Sequence, residues 1–182
     1  MFRELLLKRV SGFCHLSAMQ LDQLQQHYEL MQRWNETINL TRIERIEEVV
    51  DRHYAESLFL GANLPAGPLR VADVGSGAGF PGIPIAILRP EVSMSLVESH
   101  QRKAVFLKEA TRSIPNVIVI GKRAEDLHQT FDWVVSRAVS WNDLESLSIA
   151  PKLALIGTDA EGTSLSFPWS NERRLILVSR ET

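Results

Sequence analysis

The sequence has little cysteine, no long apolar run and almost no net charge. Cys14 is the single cysteine among 182 residues, which excludes an intrachain disulfide framework and a cysteine-based zinc cluster and indicates a reducing compartment. No apolar run approaches the ~20 residues that a membrane span needs. The first residues, around the short run 5–7, lack the hydrophobic region of a signal peptide. These absences predict a cytoplasmic protein that does not enter a membrane.

The charge balance argues against a globally basic nucleic-acid-binding protein. Twenty Lys and Arg residues are set against 22 Asp and Glu, which gives a formal net charge of −2. Any surface for RNA must therefore be a local patch. Six basic residues are close in sequence and could form one: Arg102, Lys103, Lys108, Arg112, Lys122 and Arg123. An ordinary solvated helix face explains them equally well.

The N-terminal third is predicted to be helical. Ser17 and Gln20 have the spacing of a capping box, and apolar residues then recur at three- and four-residue steps as far as residue 38. A second capping box, Thr41 with Glu44, is predicted to open another helix. In that helix His53 is expected to be a packed, hydrogen-bonded residue and not a catalytic one.

Beyond residue 69, short β-branched runs alternate with helical patterns. The predicted strands are Leu69–Val74, Val92–Glu98, Asn116–Ile120, Phe131–Ser136, Lys152–Ile156 and Arg174–Ser179, and Thr163–Phe167 can precede the last one in a hairpin. The predicted helices between them are Pro81–Leu88, Gln101–Ser113 and Trp141–Ile149. This alternation predicts an α/β fold with a doubly wound, mostly parallel sheet. We divide the chain into a helical extension, 1–64, and a main domain, 65–182.

A glycine-rich segment between the first predicted strand and helix is the strongest candidate for a ligand site. Gly75, Gly77 and Gly79 alternate with small residues, so the backbone can turn sharply and approach a ligand, although a tight turn alone would also use them. Gly77, Gly79 and Gly82 make a literal G-x-G-x-x-G, which suggests a dinucleotide. Asp73, at the strand end, would repel a pyrophosphate but suits the cationic cofactor S-adenosylmethionine.

A second carboxylate, Glu98, ends the second predicted strand, 19 residues after Gly79. Doubly wound folds place there a carboxylate that accepts hydrogen bonds from ribose hydroxyls. A solvated strand-end carboxylate is the simpler alternative. Asp73 and Glu98 both lie at carboxyl ends of strands, the rim where open α/β sheets bind ligands.

Several short motifs occur in a fixed order along residues 15–140. Residues 73–87 read DVGSGAGFPGIPIAI. The others are Asn39-Leu40-Thr41, Arg52-His53 with Ser57-Leu58, Glu98-Ser99 with Lys103 and Phe106-Leu107, Arg123-Ala124-Glu125, and Phe131-Asp132 leading to Ser136-Arg137-Ala138-Val139. This series resembles the bacterial ribosomal small-subunit methyltransferase G family, also called glucose-inhibited division protein B. The FPGIP and SRAV segments are far more specific than a generic methyltransferase loop.

The resemblance implies a class I methyltransferase (Rossmann-like) fold and transfer of a methyl group from S-adenosylmethionine to N7 of one guanine in 16S ribosomal RNA, free or in the small ribosomal subunit. It implies that Gly75 and Phe80 line the cofactor, that Ala124 and Glu125 meet the adenine, and that Arg137 lies at the rim near the cofactor, which it helps to bind, and the incoming base. Guanine N7 carries a lone pair and no proton, so no general base is required. No catalytic base and no metal site are predicted, and a monomer is expected.

The C-terminal third departs from the family pattern. Family members usually carry a Lys-Pro-Gly-Gly turn before the fifth strand and a Lys-Gly pair after it, whereas here Ile156 precedes Gly157 and no double glycine occurs. We expect a shortened C-terminal region with the cofactor half intact. A degenerate cofactor-binding protein and a methyltransferase with a different substrate stay open, and Asp73 argues against a nicotinamide dehydrogenase.

Overall fold

The computed structural model describes residues 1–137, 139–158 and 161–180. Within these ranges the α-helices are α1 (Phe2–Val10), α2 (Ala18–Asn35), α3 (Ile46–Glu48), α4 (Glu56–Asn63), α5 (Gly82–Leu88), α6 (Gln101–Ala110) and α7 (Trp141–Glu145). The strands are β1 (Arg70–Val74), β2 (Ser93–Val97), β3 (Val117–Ile120), β4 (Trp133–Ser136), β5 (Lys152–Gly157), β6 (Thr163–Phe167) and β7 (Ser170–Ser179). A π-helical segment, Val49–Ala55, joins α3 to α4, and a 3₁₀ turn covers Ala124–Asp126.

The strands form one sheet in the order β3-β2-β1-β4-β5-β7-β6. Strands β1 to β5 are parallel, and β7 runs antiparallel to both β5 and β6. The chain winds from β1 out to β3 and then resumes with β4 on the other side of β1. Such a reversal opens a crevice at the carboxyl ends of the strands around it. The predicted doubly wound, mostly parallel sheet is confirmed.

Alternate strand residues pack on opposite faces of the sheet. Val71 joins a large hydrophobic cluster that also contains Leu24 of α2 and Tyr54. Its neighbour Ala72 joins a smaller cluster with Leu144 of α7. Because side chains alternate along a strand, this division follows from the period-two pattern of the sequence. The N-terminal helices therefore cover one face of the sheet and share its core.

The start of α2 agrees with the predicted capping box. The Ser17 hydroxyl accepts a hydrogen bond from the Gln20 amide (3.2 Å), and the Gln20 side-chain carbonyl accepts one from the Ser17 amide (2.9 Å). The Gln20 side-chain amide also donates to the Ile87 carbonyl at the end of α5 (3.0 Å). This cap therefore ties α2 to the helix that follows the glycine segment.

The second predicted capping box is wrong. Helix α3 begins at Ile46, and the Thr41 hydroxyl accepts a hydrogen bond from the Ile43 amide (3.1 Å) instead of capping a helix with Glu44. The Asn35 side chain provides the reason. Its carbonyl accepts hydrogen bonds from the amides of residues 40 and 41 (2.8 and 3.0 Å), which holds this stretch in a loop.

Two later helices end before the predicted residue. Helix α7 ends at Glu145 instead of Ile149, because the Arg180 guanidinium donates to the carbonyls of Leu144 and Leu147. Helix α6 ends at Ala110 instead of Ser113, where Thr111 already leaves helical backbone geometry. Both endings are set by the backbone or by distant side chains and not by the apolar pattern.

The predicted C-terminal hairpin is present as β6 and β7, and β7 begins four residues earlier than expected. Ile156, which stands where the family has lysine, is buried in the large hydrophobic cluster. Among the described residues, no helix combines the length and the apolar character required to span a bilayer.

Candidate functional site

The glycine loop, residues 75–82, follows β1 directly. Gly75, Gly77 and Gly79 have φ angles of +73°, +57° and +98°, in the left-handed region that favours glycine. The Gly75 amide donates to the Val97 carbonyl (2.9 Å), which joins the loop to the end of β2. A Cβ on Gly79 would collide with the Ile83 side chain, whereas one on Gly77 would meet only the Gly75 carbonyl oxygen, at 4.0 Å. Gly77 therefore leaves an open surface above the loop.

Asp73 lies under this loop and is fully buried. Its Oδ2 accepts a hydrogen bond from the Gly82 amide at the start of α5 (2.9 Å). Its Oδ1 is buried and has no hydrogen-bond partner among the residues that the structure describes. Burial raises the pKa of the carboxyl to about 7, although the Gly82 amide opposes the shift. A buried acceptor without a partner is costly, so this oxygen suits a donor group supplied by a ligand.

A cavity of about 210 Å³ opens where β1 and β2 end. Gly75, Glu98, Ala124 and Glu125 all border it. Val139 and Leu147 contribute apolar walls. A cavity with carboxylates at its edge and apolar walls can hold a flat nucleoside.

Glu98 is 7% exposed at the edge of this cavity. Its amide donates to the Ile120 carbonyl (3.0 Å), so its main chain extends the sheet and is fixed. Burial raises the pKa of its carboxyl, and the positive charge of Lys103 and the Gly77 amide lower it in part. A confined carboxylate of this kind accepts hydrogen bonds from hydroxyl groups.

Arg137 and Phe80 form a second group, beside the glycine loop. The Arg137 Nη1 donates to the Arg52 carbonyl (2.9 Å) and to Nδ1 of His53 (2.5 Å). Its Cζ lies 5.2 Å from the centroid of the buried Phe80 ring. Burial lowers the pKa of Arg137 to about 10, so the guanidinium stays cationic at neutral pH.

Helix α2 supports the glycine loop from below through His27. The His27 Nε2 lies 2.8 Å from the Ala78 carbonyl oxygen, and Nδ1 lies 2.9 Å from the Tyr54 hydroxyl. Because a carbonyl oxygen only accepts, Nε2 carries the proton and Nδ1 accepts from Tyr54. Burial lowers the pKa of His27 to about 4, so the ring is neutral.

The structure therefore divides the predicted site residues into groups. Four border the cavity: Gly75, Glu98, Ala124 and Glu125. Asp73, Gly77 and Gly79 belong to the glycine loop and its support, and Phe80 and Arg137 meet on its other side. Residue 138, within the SRAV segment, lies outside the described residues. The packed, hydrogen-bonded state expected for His53 is confirmed.

Sequence reasoning missed the support that the N-terminal helices give to the site. His27 lies between the apolar positions of α2, where a polar side chain gives no signal of a distant carbonyl partner. For Tyr54 the pattern predicts only a place on an apolar helix face. The one available signal is a polar residue within an apolar helix pattern. Such a residue is expected to be buried, and a buried polar group requires a hydrogen-bond partner, but the sequence does not identify that partner.

The six basic residues considered for RNA contact lie on α6, on the residues that follow it, and after β3. Lys103 is half-buried, and the other five are exposed. Val105 of α6 and Ile118 of β3 are 54% and 58% exposed in the same region. This part of the surface is basic with two apolar residues, and it adjoins the cavity through Lys122 and Arg123.

Comparison with known proteins agrees with this architecture. The fold matches that of the magnesium protoporphyrin IX methyltransferase of Synechocystis PCC 6803, solved with bound S-adenosylmethionine, with a TM-score of 0.58 and 13% sequence identity over 86% of this chain and 97% of that one. The architecture is thus that of the class I methyltransferases, as predicted.

Sequence relatives lead to a narrower assignment. Ribosomal RNA small subunit methyltransferase G of Chromobacterium violaceum is 42% identical over 69% of this chain and 61% of its own length. The protein of the same name from Nitrosomonas europaea is 46% identical over 64% of this chain and 56% of its own length. The chain thus spans about three fifths of the length of these curated relatives. The family model described as rRNA small subunit methyltransferase G (GidB) matches residues 20–153, and the chain belongs to that family.

Proposed function

We propose that this chain transfers a methyl group from S-adenosylmethionine to N7 of a guanine in small-subunit (16S) ribosomal RNA. One observation carries the proposal. The residues matched by the family, 20–153, include every side chain that borders the 210 Å³ cavity, together with Asp73 and Arg137. The cofactor half of the family fold is therefore represented in this chain.

The residues present fit the methyl donor. The apolar walls, Val139 and Leu147, suit the faces of an adenine, and Ala124 and Glu125 border the same space. Glu98 can accept hydrogen bonds from the ribose hydroxyls. The open surface at Gly77 leaves room for the amino-acid part, and the unpartnered Oδ1 of Asp73 suits its ammonium group.

Methyl transfer to guanine N7 requires the protein mainly to position the two reactants. When bound, the donor supplies a methyl group on a positively charged sulfur. Guanine N7 attacks through a lone pair without losing a proton, so no side chain has to act as a base. Holding the base in line and excluding water contributes several kcal/mol, at most ~11. Arg137 remains protonated and can donate to guanine O6 or to a phosphate.

The RNA contact is proposed for the basic surface around α6, defined by the six residues from Arg102 to Arg123 that are given above. Phosphate contacts supply most of the affinity of an RNA-binding protein and do not require a net positive chain. A guanine within a duplex is inaccessible to an enzyme pocket, so the target base lies in a loop or is turned out of its helix.

The decisive experiment is methyl transfer with labelled S-adenosylmethionine to purified small ribosomal subunits and to free 16S RNA. We expect label in the RNA and a single 7-methylguanosine after nuclease digestion and nucleoside mass spectrometry. Label in a protein or a small molecule would contradict the RNA substrate. Donor binding without transfer to either form of the RNA would identify a degenerate binding protein.

A further inference from the structure

Four segments that carry the family resemblance meet at one point in the fold, although they are far apart in sequence. They supply Thr41, His53, Phe80 and Arg137. The His53 ring stacks on the Phe80 ring with centroids 4.5 Å apart and an interplanar angle of 11°. The Arg137 guanidinium lies over the Phe80 ring and donates to His53. Ordinary core packing does not require such a polar arrangement.

The hydrogen bonds determine which His53 nitrogen carries the proton. A guanidinium has donors and no acceptor, so the Nδ1 that receives Arg137 Nη1 at 2.5 Å must be unprotonated. The proton is then on Nε2, which donates to the Thr41 hydroxyl oxygen at 2.8 Å. That oxygen also accepts from the Ile43 amide (3.1 Å), which fixes its position.

Arg137 has few alternatives to this orientation. It also donates to the Arg52 carbonyl, at 2.9 Å, on the same π-helical segment as His53, and the charges of Glu56 and Asp73 act on it without a hydrogen bond. His53 is 2% exposed, so water cannot replace its Nδ1 as an acceptor. Removal of the His53 acceptor would leave an Nη1 hydrogen directed at an apolar ring or a void, and the guanidinium would turn away.

We propose that His53 is a positioning residue, which orients the Arg137 guanidinium over Phe80 toward the acceptor base through its unprotonated Nδ1, while its Nε2 is hydrogen-bonded to Thr41. The inference rests on the proposed function, since it assigns to Arg137 a contact with the substrate RNA. It also gives a role to two of the segments that carry the resemblance, Asn39-Leu40-Thr41 and Arg52-His53. A misplacement of about 1 Å in such a group can reduce a rate ~100-fold.

The test is a double-mutant cycle with His53→Leu, Arg137→Gln and the combined variant, and with His53→Asn as a conservative control. Asn can place an oxygen near the position of Nδ1. We expect His53→Leu to lower kcat about 10- to 100-fold and His53→Asn to lower it no more than about fivefold. The Kd for S-adenosylhomocysteine, measured by calorimetry, should change less than about threefold in both. In the Arg137→Gln background, His53→Leu should lower kcat less than about twofold, because the two residues act as one unit.

Two outcomes would overturn the positioning role. One is an equal reduction of kcat in His53→Leu and His53→Asn, and the other is full multiplication of the two single reductions in the combined variant. If the wild-type chain transfers the methyl group, either result leaves the proposed function intact. A wild-type chain that transfers no methyl group contradicts the proposed function and removes the positioning role with it.

A second measurement needs neither cofactor nor substrate. Long-range ¹H–¹⁵N NMR of the free protein should show His53 as the neutral tautomer protonated at Nε2. In Arg137→Met the tautomer population should shift, because Nδ1 loses its donor. A proton on Nδ1 of His53 in the wild-type protein would exclude the hydrogen bond from Arg137 and overturn the inference.

Discussion

At the residue scale, Gly77 and Gly67 both combine a left-handed backbone with open space where a Cβ would be added. A valine at either position costs about 1 to 3 kcal/mol of backbone strain. We expect Gly77→Val and Gly67→Val to lose similar stability in urea unfolding. Only Gly77→Val should lose S-adenosylhomocysteine binding in calorimetry, because Gly77 belongs to the proposed ligand site and Gly67 does not. Retained binding in Gly77→Val would remove this loop from the ligand site.

Asp73 makes stability depend on pH. Its pKa is raised from 3.8 to about 7 in the folded state, so the folded protein binds more protons than the unfolded chain across that interval. The free energy of unfolding contributed by Asp73 is therefore full below pH 4 and is lost as pH rises to 7. A shift of about three units corresponds to about 4 kcal/mol. Urea unfolding of wild type and Asp73→Asn should show the variant gaining relative stability up to this size between pH 4 and pH 8, and a constant difference would contradict the buried carboxylate.

The residue scale also shows where sequence reasoning reaches its limit. Asp73 and Glu98 can be predicted because a charged residue at the end of an apolar strand is conspicuous. The roles of His27 and Tyr54 cannot, because the Ala78 carbonyl is 51 residues from His27 in the chain and Tyr54 is 27 residues from it. No local pattern encodes such a pair.

At the element scale, α2 and the π-helical segment hold the glycine loop through the chain of hydrogen bonds from Tyr54 to His27 to the Ala78 carbonyl. Tyr54→Phe leaves the buried Nδ1 of His27 without its donor, which should cost about 1 to 3 kcal/mol of stability. It should also weaken S-adenosylhomocysteine binding, because the loop loses its support. Tyr28→Phe, in the neighbouring stack of rings, is the matched control. Equal effects of the two variants on binding would show that the hydrogen bond from Tyr54 to His27 is not required for the glycine loop to bind S-adenosylhomocysteine.

The basic surface around α6 is the proposed RNA contact. Lys108→Glu with Arg112→Glu should reduce affinity for 16S RNA, and the slope of log K against log salt should fall by about 0.7 for each phosphate that the protein no longer neutralises. Lys8→Glu, on the exposed surface of α1, is a control for half of that change in net charge. Binding of S-adenosylhomocysteine should be unaffected by all three substitutions. An unchanged salt slope in the double variant would show that these residues form a solvated helix face.

The predicted elements agree with the structure where the hydrophobic pattern decides, and they differ where a distant group does. The strands lie within a few residues of their predictions because their alternation encodes two buried faces. The predicted helix entry at Thr41 is wrong because the Asn35 side chain binds the Thr41 amide, which the Glu44 side chain would bind in a capping box. The end of α7 depends on Arg180, 36 residues from Leu144. Element boundaries thus depend on the tertiary structure.

At the scale of the whole molecule, the sheet order brings the ends of β1, β2 and β4 together, and the site follows from that order. The alternation of strands and helices is sufficient to predict the edge of the sheet at which the site lies, since a parallel sheet must place all carboxyl ends on one edge. The meeting of Thr41, His53, Phe80 and Arg137 is not predictable in this way. It depends on how the N-terminal helices pack on the sheet, for which the sequence contains only the apolar pattern.

A ligand that binds only the folded chain stabilises the whole molecule, so the identity of the cofactor can be read from unfolding. At a concentration of 100 times Kd, the gain is about 2.7 kcal/mol. For a chain of this size, that gain corresponds to a rise in Tm of about 5 to 10 °C. We expect this rise with S-adenosylmethionine and S-adenosylhomocysteine and none with NAD, because the buried carboxylate of Asp73 beneath the loop would repel a pyrophosphate. Gly77→Val should abolish the rise, and Gly67→Val should keep it. A shift with NAD alone would reverse the cofactor assignment, since the same glycines would then serve a dinucleotide.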